Sequence, residues 1–146
     1  MSNYICKVIE FNSPEQKASI ALRRKILRIP LGLDFTAEEL ESEADQVHIG
    51  CFDGRLIIGI LILVKSDADT LKMRQVAVDD TLQGKGVGKQ LVAFAEQWSR
   101  ANGFRNMLLH ARETAVPFYL SMQYETIGER FEEVGIPHFK MFKKIF

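Results

Sequence analysis

The sequence predicts a single α/β domain, with α+β character in its strand pairing, and three observations predict it. Strand-like and helix-like segments follow the order β-α-α-β-β-β-α-β-α-β-β, the pattern of one mixed layer architecture. The run Leu56–Val64 is apolar on both faces, as a central strand covered on both sides must be. An Asp53-Gly54 pair lies between two strand-like runs, a strong hairpin signal, since a type I′ turn needs positive φ at both positions. The 146 residues fit one domain by the usual prior of roughly 100–200 residues. A chain of this length buries about two thirds of its unfolded surface, enough for a core without disulfides or a structural metal.

Each element follows from local chemistry. Tyr4–Glu10 is rich in strand formers and predicts the first strand. Asn12-Ser13-Pro14-Glu15 supplies a cap, a first-turn proline and an acid for the first helix, which Pro30 and Gly32 end. Thr36-Ala37-Glu38-Glu39 is a capping-box signature for a second helix running to about Asp45. Val47–Phe52 and Arg55–Val64 form the hairpin, and Thr70–Val78 is the next strand. A helix from about Gly86 to Asn102 places Val87, Leu91, Phe94, Ala95 and Trp98 on one stripe, with Gly103 closing it. Arg105–His110 is a strand, and Thr114 is a candidate cap for a helix through Tyr119 to about Met122, with Pro117 tolerated in the first turn. Tyr124–Glu129 and Phe139–Phe146 are closing strands joined by the segment 131–138.

Charge and cysteine usage exclude several function classes. Nineteen Lys+Arg balance nineteen Asp+Glu, so the electrostatic footprint of a general nucleic-acid binder is missing, although a local basic patch is still allowed. Cys6 and Cys51 are too few for a metal cluster and lack CxxC spacing. The N-terminal stretch Met1–Lys7 has no long apolar signal region. The Leu56–Val64 run is about half of a membrane span. These features predict a soluble, cytoplasmic protein with no metal and no membrane partner. Among the charged runs, Glu38, Glu39, Glu41, Glu43 and Asp45 read as a solvated helix face. Arg23, Arg24, Lys25 and Arg28 read as solvent-facing.

The chemistry lies in Gln83-Gly84-Lys85-Gly86-Val87-Gly88-Lys89, between a strand and an amphipathic helix. Glycines at alternate positions let backbone N–H groups approach a ligand closely. The following helix adds unpaired N–H groups and a positive dipole end, and Lys85 and Lys89 add mobile charge, so the loop suits a phosphate or pyrophosphate. It is not a Walker A loop, because Gln90 stands where Ser or Thr is required. The GxGxG spacing also departs from the dinucleotide GxGxxG. A plain glycine-rich turn is the bland alternative.

Gln83-x-x-Gly86-x-Gly88, preceded by Arg74-Gln75-Val76-Ala77-Val78-Asp79, resembles the acyl-CoA loop of the GNAT superfamily of N-acetyltransferases. Ala115-x-x-Phe118-Tyr119-x-x-x-Gln123-Tyr124 resembles that superfamily's AxxFYxxxGF segment. The two motifs stand in the family's order, and the likeness covers nearly the whole chain. Leu109-His110-Ala111-Arg112 and the tail Glu133–His138 are similar to the small bacterial ElaA-like branch.

The resemblance implies a twisted, mostly antiparallel mixed sheet with helices on both faces, and acetyl-CoA as acyl donor. It implies that Val76, Ala77 and Val78 run beside the pantetheine arm, with a backbone amide facing the thioester carbonyl. It places Gln83, Gly84, Lys85, Gly86, Val87, Gly88 and Lys89 around the pyrophosphate, with Phe118 beside the cofactor. Tyr119 corresponds to the tyrosine that family members often use to protonate the departing thiolate; a buried packing role is its alternative. Two positions depart from the family: Gln123 replaces a glycine, at a turn that also tolerates other residues able to adopt left-handed geometry, and Arg112 replaces an asparagine and is a candidate for a CoA phosphate or a surface cap. His110, at a strand end, is the candidate base, since imidazole suits proton transfer near neutral pH. Glu113 and Asp79 are acidic alternatives, and the resemblance gives Glu38, Glu39, Glu41, Glu43 and Asp45 a second reading as an acidic rim that draws a cationic amine. The implied acceptor is a small-molecule amine or a peptide N-terminus, and a homodimer is compatible with the apolar end Ile145-Phe146. A non-catalytic acyl-CoA-binding or sensing domain is the alternative function, and a nucleotide-binding protein a third.

Overall fold

The computed structural model describes residues 3–146; Met1 and Ser2, the start of the N-terminal stretch read above, lie outside the described residues. Strands β1 (Ile5–Ile9), β2 (Val47–Asp53), β3 (Leu56–Lys65), β4 (Thr70–Val78), β5 (Asn106–Arg112), β6 (Glu125–Glu133) and β7 (Ile136–Lys144) alternate with helices α1 (Pro14–Arg23), α2 (Ala37–Glu41), α3 (Val87–Ala101) and α4 (Val116–Ser121) in the predicted order. The strands form one sheet in the order β1-β2-β3-β4-β5-β7-β6. β1–β2, β2–β3, β5–β7 and β6–β7 pair antiparallel, and β4–β5 pairs parallel. Among the described residues no helix is long and apolar enough to cross a membrane. The chain gathers into two compact units, one holding the chain up to Val64 with Gln75–Ala95, the other Lys65–Arg74 with Glu96–Phe146.

In the first unit, β3 is the buried strand its composition predicted: Ile58, Ile60, Leu61 and Ile62 have no exposed surface. The core joins Ile9, Leu22, Phe52, Ile57, Ile60 and Ala77, with Ile26 and Leu27 packed against it. Ser13 caps α1 by accepting from Gln16 N at 3.1 Å, with Pro14 at the first helical position. Beyond Arg23 the helix widens into a π-turn over Arg24–Arg28, tightens through Ile29–Leu31, and stops at Gly32. Thr36 and Glu39 close the predicted capping box, and α2 ends at Glu41, short of Asp45. The hairpin also differs from expectation. Its tip is left-handed at Gly54 alone, so it is not type I′; a glycine at the first of two loop positions suffices.

Each of the two charged runs departs from the solvated face at one buried member, Arg23 in the basic run and Glu43 in the acidic run, while Glu38, Glu39, Glu41 and Asp45 are exposed as expected. Arg23 is fully buried and forks onto Glu43, Nη1 to Oε1 at 2.9 Å and Nη2 to Oε2 at 2.8 Å. Its guanidinium also lies 4.5 Å from the Phe35 ring centroid. Removing one member of such a pair typically costs about 3–5 kcal/mol, because the other charge stays buried alone.

Gly59 marks where α3 presses on β3. A Cβ there would stand 2.6 Å from Leu91 Cδ1 and 3.1 Å from Val87 Cγ1, both buried side chains. Gly59→Val is therefore expected to destabilise the protein by about 1–3 kcal/mol through overpacking, read as a fall in the urea midpoint at constant m.

In the second unit, Thr70–Met73 of β4 pairs with Asn106–Leu109 of β5, whose Met107, Leu109 and Ala111 alternate inward. Tyr124 Oη donates to Glu96 Oε2 at 2.8 Å, and Lys143 Nζ donates to Glu96 Oε1 at 2.8 Å, which partners a carboxylate only 5% exposed. α4 ends at Gln123, where φ is +74°; Tyr124 N donates to Tyr119 O at 3.0 Å and Gln123 N to Leu120 O at 3.1 Å, a Schellman stop. Glutamine thus holds the left-handed position that the resembling families give to glycine. Thr114 does not cap α4. It sits inside a 3-10 turn, Glu113–Ala115, which leads directly into the helix with Pro117 in its first turn. The segment 131–138 is largely strand, because β6 and β7 close tightly around Val134-Gly135, both with positive φ.

Candidate active site

The first unit carries the glycine loop 83–89. Asp79, just past β4, donates its N–H to Ile58 O at 2.9 Å. Its carboxylate accepts from Thr81 Oγ1 at 2.7 Å and Thr81 N at 3.0 Å, opening the short turn Asp80–Leu82. Those hydrogen bonds, with the Lys25 charge, hold the Asp79 carboxyl below its ordinary value despite burial, which makes it a poorer base. Gln83 Nε2 donates to Val78 O at 3.2 Å and ties the loop to the strand end. The chain then turns through Gly84 at φ +81° and Gly86 at φ +86°. Only glycine takes these values without strain. A Cβ at either position would meet nothing within 4 Å, so the loop faces open space. Gly88 and Lys89 fall within the first turn of α3, and Gln90 N donates to Gly86 O at 3.0 Å. The N–H groups of that first turn have no intrahelical partner by geometry, and Lys85 and Lys89 are exposed beside them. Left-handed glycines, a fifteen-residue helix start and two lysines fit a pyrophosphate group. Val76 and Val78 are half-buried and Ala77 is buried; Gln75, before them, has φ +56°.

The second unit carries the titratable candidates. Tyr119 is buried on α4, edge-on to Phe118 at 5.0 Å and to Tyr124 at 5.7 Å between centroids. Burial raises the Tyr119 hydroxyl well above the ordinary 10.0, and burial with the Glu96 carboxylate raises that of Tyr124. Both groups ionise more readily in the unfolded chain. Their contribution is complete below about pH 10 and is lost as pH rises above it. Denaturation at pH 8 and pH 10.5 is expected to show this fall, with the Tyr119→Phe, Tyr124→Phe double variant showing much less.

His110 Nδ1 lies 3.0 Å from Glu133 Oε1, with its ring edge-on to Phe131. His138 Nε2 is 3.7 Å from Glu133 Oε2, and its Nδ1 lies 2.8 Å from Ile136 O. Burial pushes the Glu133 carboxyl up, but the His110 hydrogen bond and the His110, His138 and Lys72 charges together hold it below the ordinary 4.5. Glu113 pairs with Arg130 at 3.4 Å, and Arg112 is half-buried at the end of β5, opposite His138 in the register. Glu133 and the Arg23–Glu43 pair carry no sequence signal as site residues: their partners lie 23 and 20 positions away, with no motif spacing.

Comparison with known proteins agrees with the family resemblance. The model of the acetyltransferase (GNAT) domain family matches residues 33–145. The uncharacterised N-acetyltransferase YjcF of Bacillus subtilis (strain 168) is 31% identical over 107 residues, 73% of this chain and 74% of YjcF. A Lactobacillus plantarum structure assigned as an N-acetyltransferase superposes with a TM-score of 0.85 at 25% identity, covering 97% of this chain and 99% of that one. Escherichia coli ElaA superposes at 0.81 with 22% identity over 97% and 99% of the two chains, a likeness of fold. A GNAT acetyltransferase from Elizabethkingia anophelis with acetyl-CoA bound superposes at 0.74 with 15% identity over 99% of both chains, again a likeness of fold. The glycine loop, the strand order and the matched family model together make this chain a member of the GNAT acetyltransferase family.

Proposed function

We propose that the protein transfers an acetyl group from acetyl-CoA to a primary amine by direct attack in a ternary complex. The observation that carries this reading is the Gln83–Lys89 segment, where two left-handed glycines open onto the start of α3. Acetyl-CoA supplies the activated thioester; everything else is the chain's work. The N–H groups of the loop and first helical turn, with Lys85 and Lys89, hold the pyrophosphate. Val76, Ala77 and Val78 align the pantetheine arm, and a backbone N–H of that segment stabilises charge developing on the carbonyl oxygen; one such donor is typically worth about 10²–10³ in rate. Phe118 lies with the cofactor and Arg112 serves a CoA phosphate. Tyr119 holds the proton delivered to the departing sulfur.

His110 is the base we favour. Asp79 is tied up as a cap and weakened as a base, and Glu113 is paired with Arg130. With Nδ1 engaged by Glu133, His110 offers Nε2 to the incoming ammonium proton. The acceptor is a small amine or a peptide N-terminus, and the setting is cytoplasmic.

The test is thiol release from acetyl-CoA across a panel of polyamines, amino sugars, amino acids and peptides, run beside thermal shifts with CoA, ATP and NAD. Release with at least one amine, and stabilisation by CoA alone, is the expected result. Stabilisation by CoA with no turnover on any amine would replace the transferase by an acyl-CoA-binding domain, and stabilisation by ATP or NAD alone would make it a nucleotide binder.

A further inference from the structure

Gln75 sits inside β4 in a conformation that its own chemistry disfavours. Its φ is +56°, and a left-handed non-glycine residue within a strand persists only where its surroundings hold it. Its side chain shows the hold: Gln75 Oε1 accepts from Arg23 Nε at 3.2 Å. Arg23 has no freedom to drift, because Glu43 takes both terminal nitrogens, the arginine is fully buried, and Glu43 is only 3% exposed. Phe35 lies against the guanidinium on its flat side. The parallel ladder of β4 with β5 registers Thr70 to Met73 and ends two residues before Gln75. Val76–Val78 therefore begins immediately after the left-handed turn at Gln75, which contributes to the direction of its N–H groups alongside the pairing of β4 with β3.

We propose that Arg23 and Glu43 are positioning residues for the acyl-transfer strand: through Gln75 they lock the backbone of Val76–Val78 in the orientation from which it meets the thioester. This rests on the acetyl-CoA reading of that strand. A buried ion pair is an expensive way to fill space, since well-packed apolar residues of similar volume are commonly as stable. What apolar residues do not supply is a fixed donor for the Gln75 carbonyl.

That difference defines the test. The double variant Arg23→Met, Glu43→Leu removes both charges together and leaves neither buried alone. Gln75→Gly accepts φ +56° without strain and removes only the held amide, so it serves even if the double variant fails to fold. Two readouts apply to each. Amide hydrogen exchange in the ligand-free protein is expected to speed up at least about tenfold at Val76 and Ala77, with Ile49 and Ile60 unchanged. Turnover is expected to fall about 10–100-fold, the scale of a small misplacement at the reacting centre, with the Kd of CoA within about threefold of wild type. Adding Gln75→Gly to the double variant should cost little more, because all three residues act through one contact. Gln75→Glu keeps an acceptor for Arg23 Nε and should hold turnover within about threefold of wild type. Exchange and turnover both unchanged in the single and double variants would overturn the proposal. A wild type that acetylates no amine would instead overturn the transferase reading, while the exchange rates still decide whether the strand is held.

Discussion

Tyr119→Phe is expected to lower kcat by about 10²–10⁴-fold while leaving the KM for acetyl-CoA within a factor of about three. The substitution removes one oxygen and retains the ring, so the edge-on contacts with Phe118 and Tyr124 survive and the change isolates the hydroxyl. Burial raises the hydroxyl above its ordinary 10.0, so it carries its proton throughout the neutral range. Burial alone makes the phenol a weaker acid, so transfer to the departing thiolate is favourable only because the same apolar surroundings that hold the Tyr119 proton also raise the basicity of a thiolate formed there. The wild-type pH–rate profile should accordingly show no ionisation of Tyr119 between about pH 6 and 9. Full turnover in Tyr119→Phe would return the residue to a packing role. A loss confined to leaving groups of high pKa would place the defect at thiolate protonation, since activated thioesters with acidic thiols leave without help.

Gly86→Val should weaken CoA binding by about 10–100-fold and leave the urea midpoint nearly unchanged. Valine is β-branched and takes φ near +86° only at a large steric cost, so the loop must rearrange and its N–H groups lose their common direction. The fold survives because Gly86 is exposed and an added Cβ meets no protein atom within 4 Å. Lys85→Ala and Lys89→Ala provide the contrast. Each removes a mobile charge without touching the backbone, and each should cost less, with a loss that shrinks in high salt. Unchanged CoA affinity in Gly86→Val would mean that the loop is a turn and not a cradle.

The glycine loop before α3 was legible in the sequence because its conformation is set locally. The alternating glycines, the start of the following helix and the two lysines all lie within seven positions, and backbone conformation at Gly84 and Gly86 is a property of those residues themselves. The caps at Ser13 and at Thr36 with Glu39 were legible for the same reason. Where neighbouring segments compete, the local signal failed. Thr114 has the right chemistry for a cap, yet the chain leaving β5 tightens into a 3-10 turn before α4 begins. Asp53-Gly54 announced a hairpin correctly, but the pairing of Asp53 with Leu56 moved the loop one residue on and left Gly54 alone with positive φ.

Arg23 and Glu43 show the limit most clearly. In sequence one belongs to a basic cluster and the other to an acidic run, and both runs have the composition of solvated helix faces. Folding brings them together from 20 positions apart and sets Gln75, 52 positions from Arg23, against the remaining guanidinium nitrogen. The pairing of His110 with Glu133 is of the same kind. By itself the sequence determined the order of elements, the left-handed glycine loop and the family, because periodicity, capping and glycine conformation act over a few residues. Only the tertiary structure decided which charges are buried and which partner each one meets, because desolvation and ion pairing depend on distances in space that sequence separation does not encode.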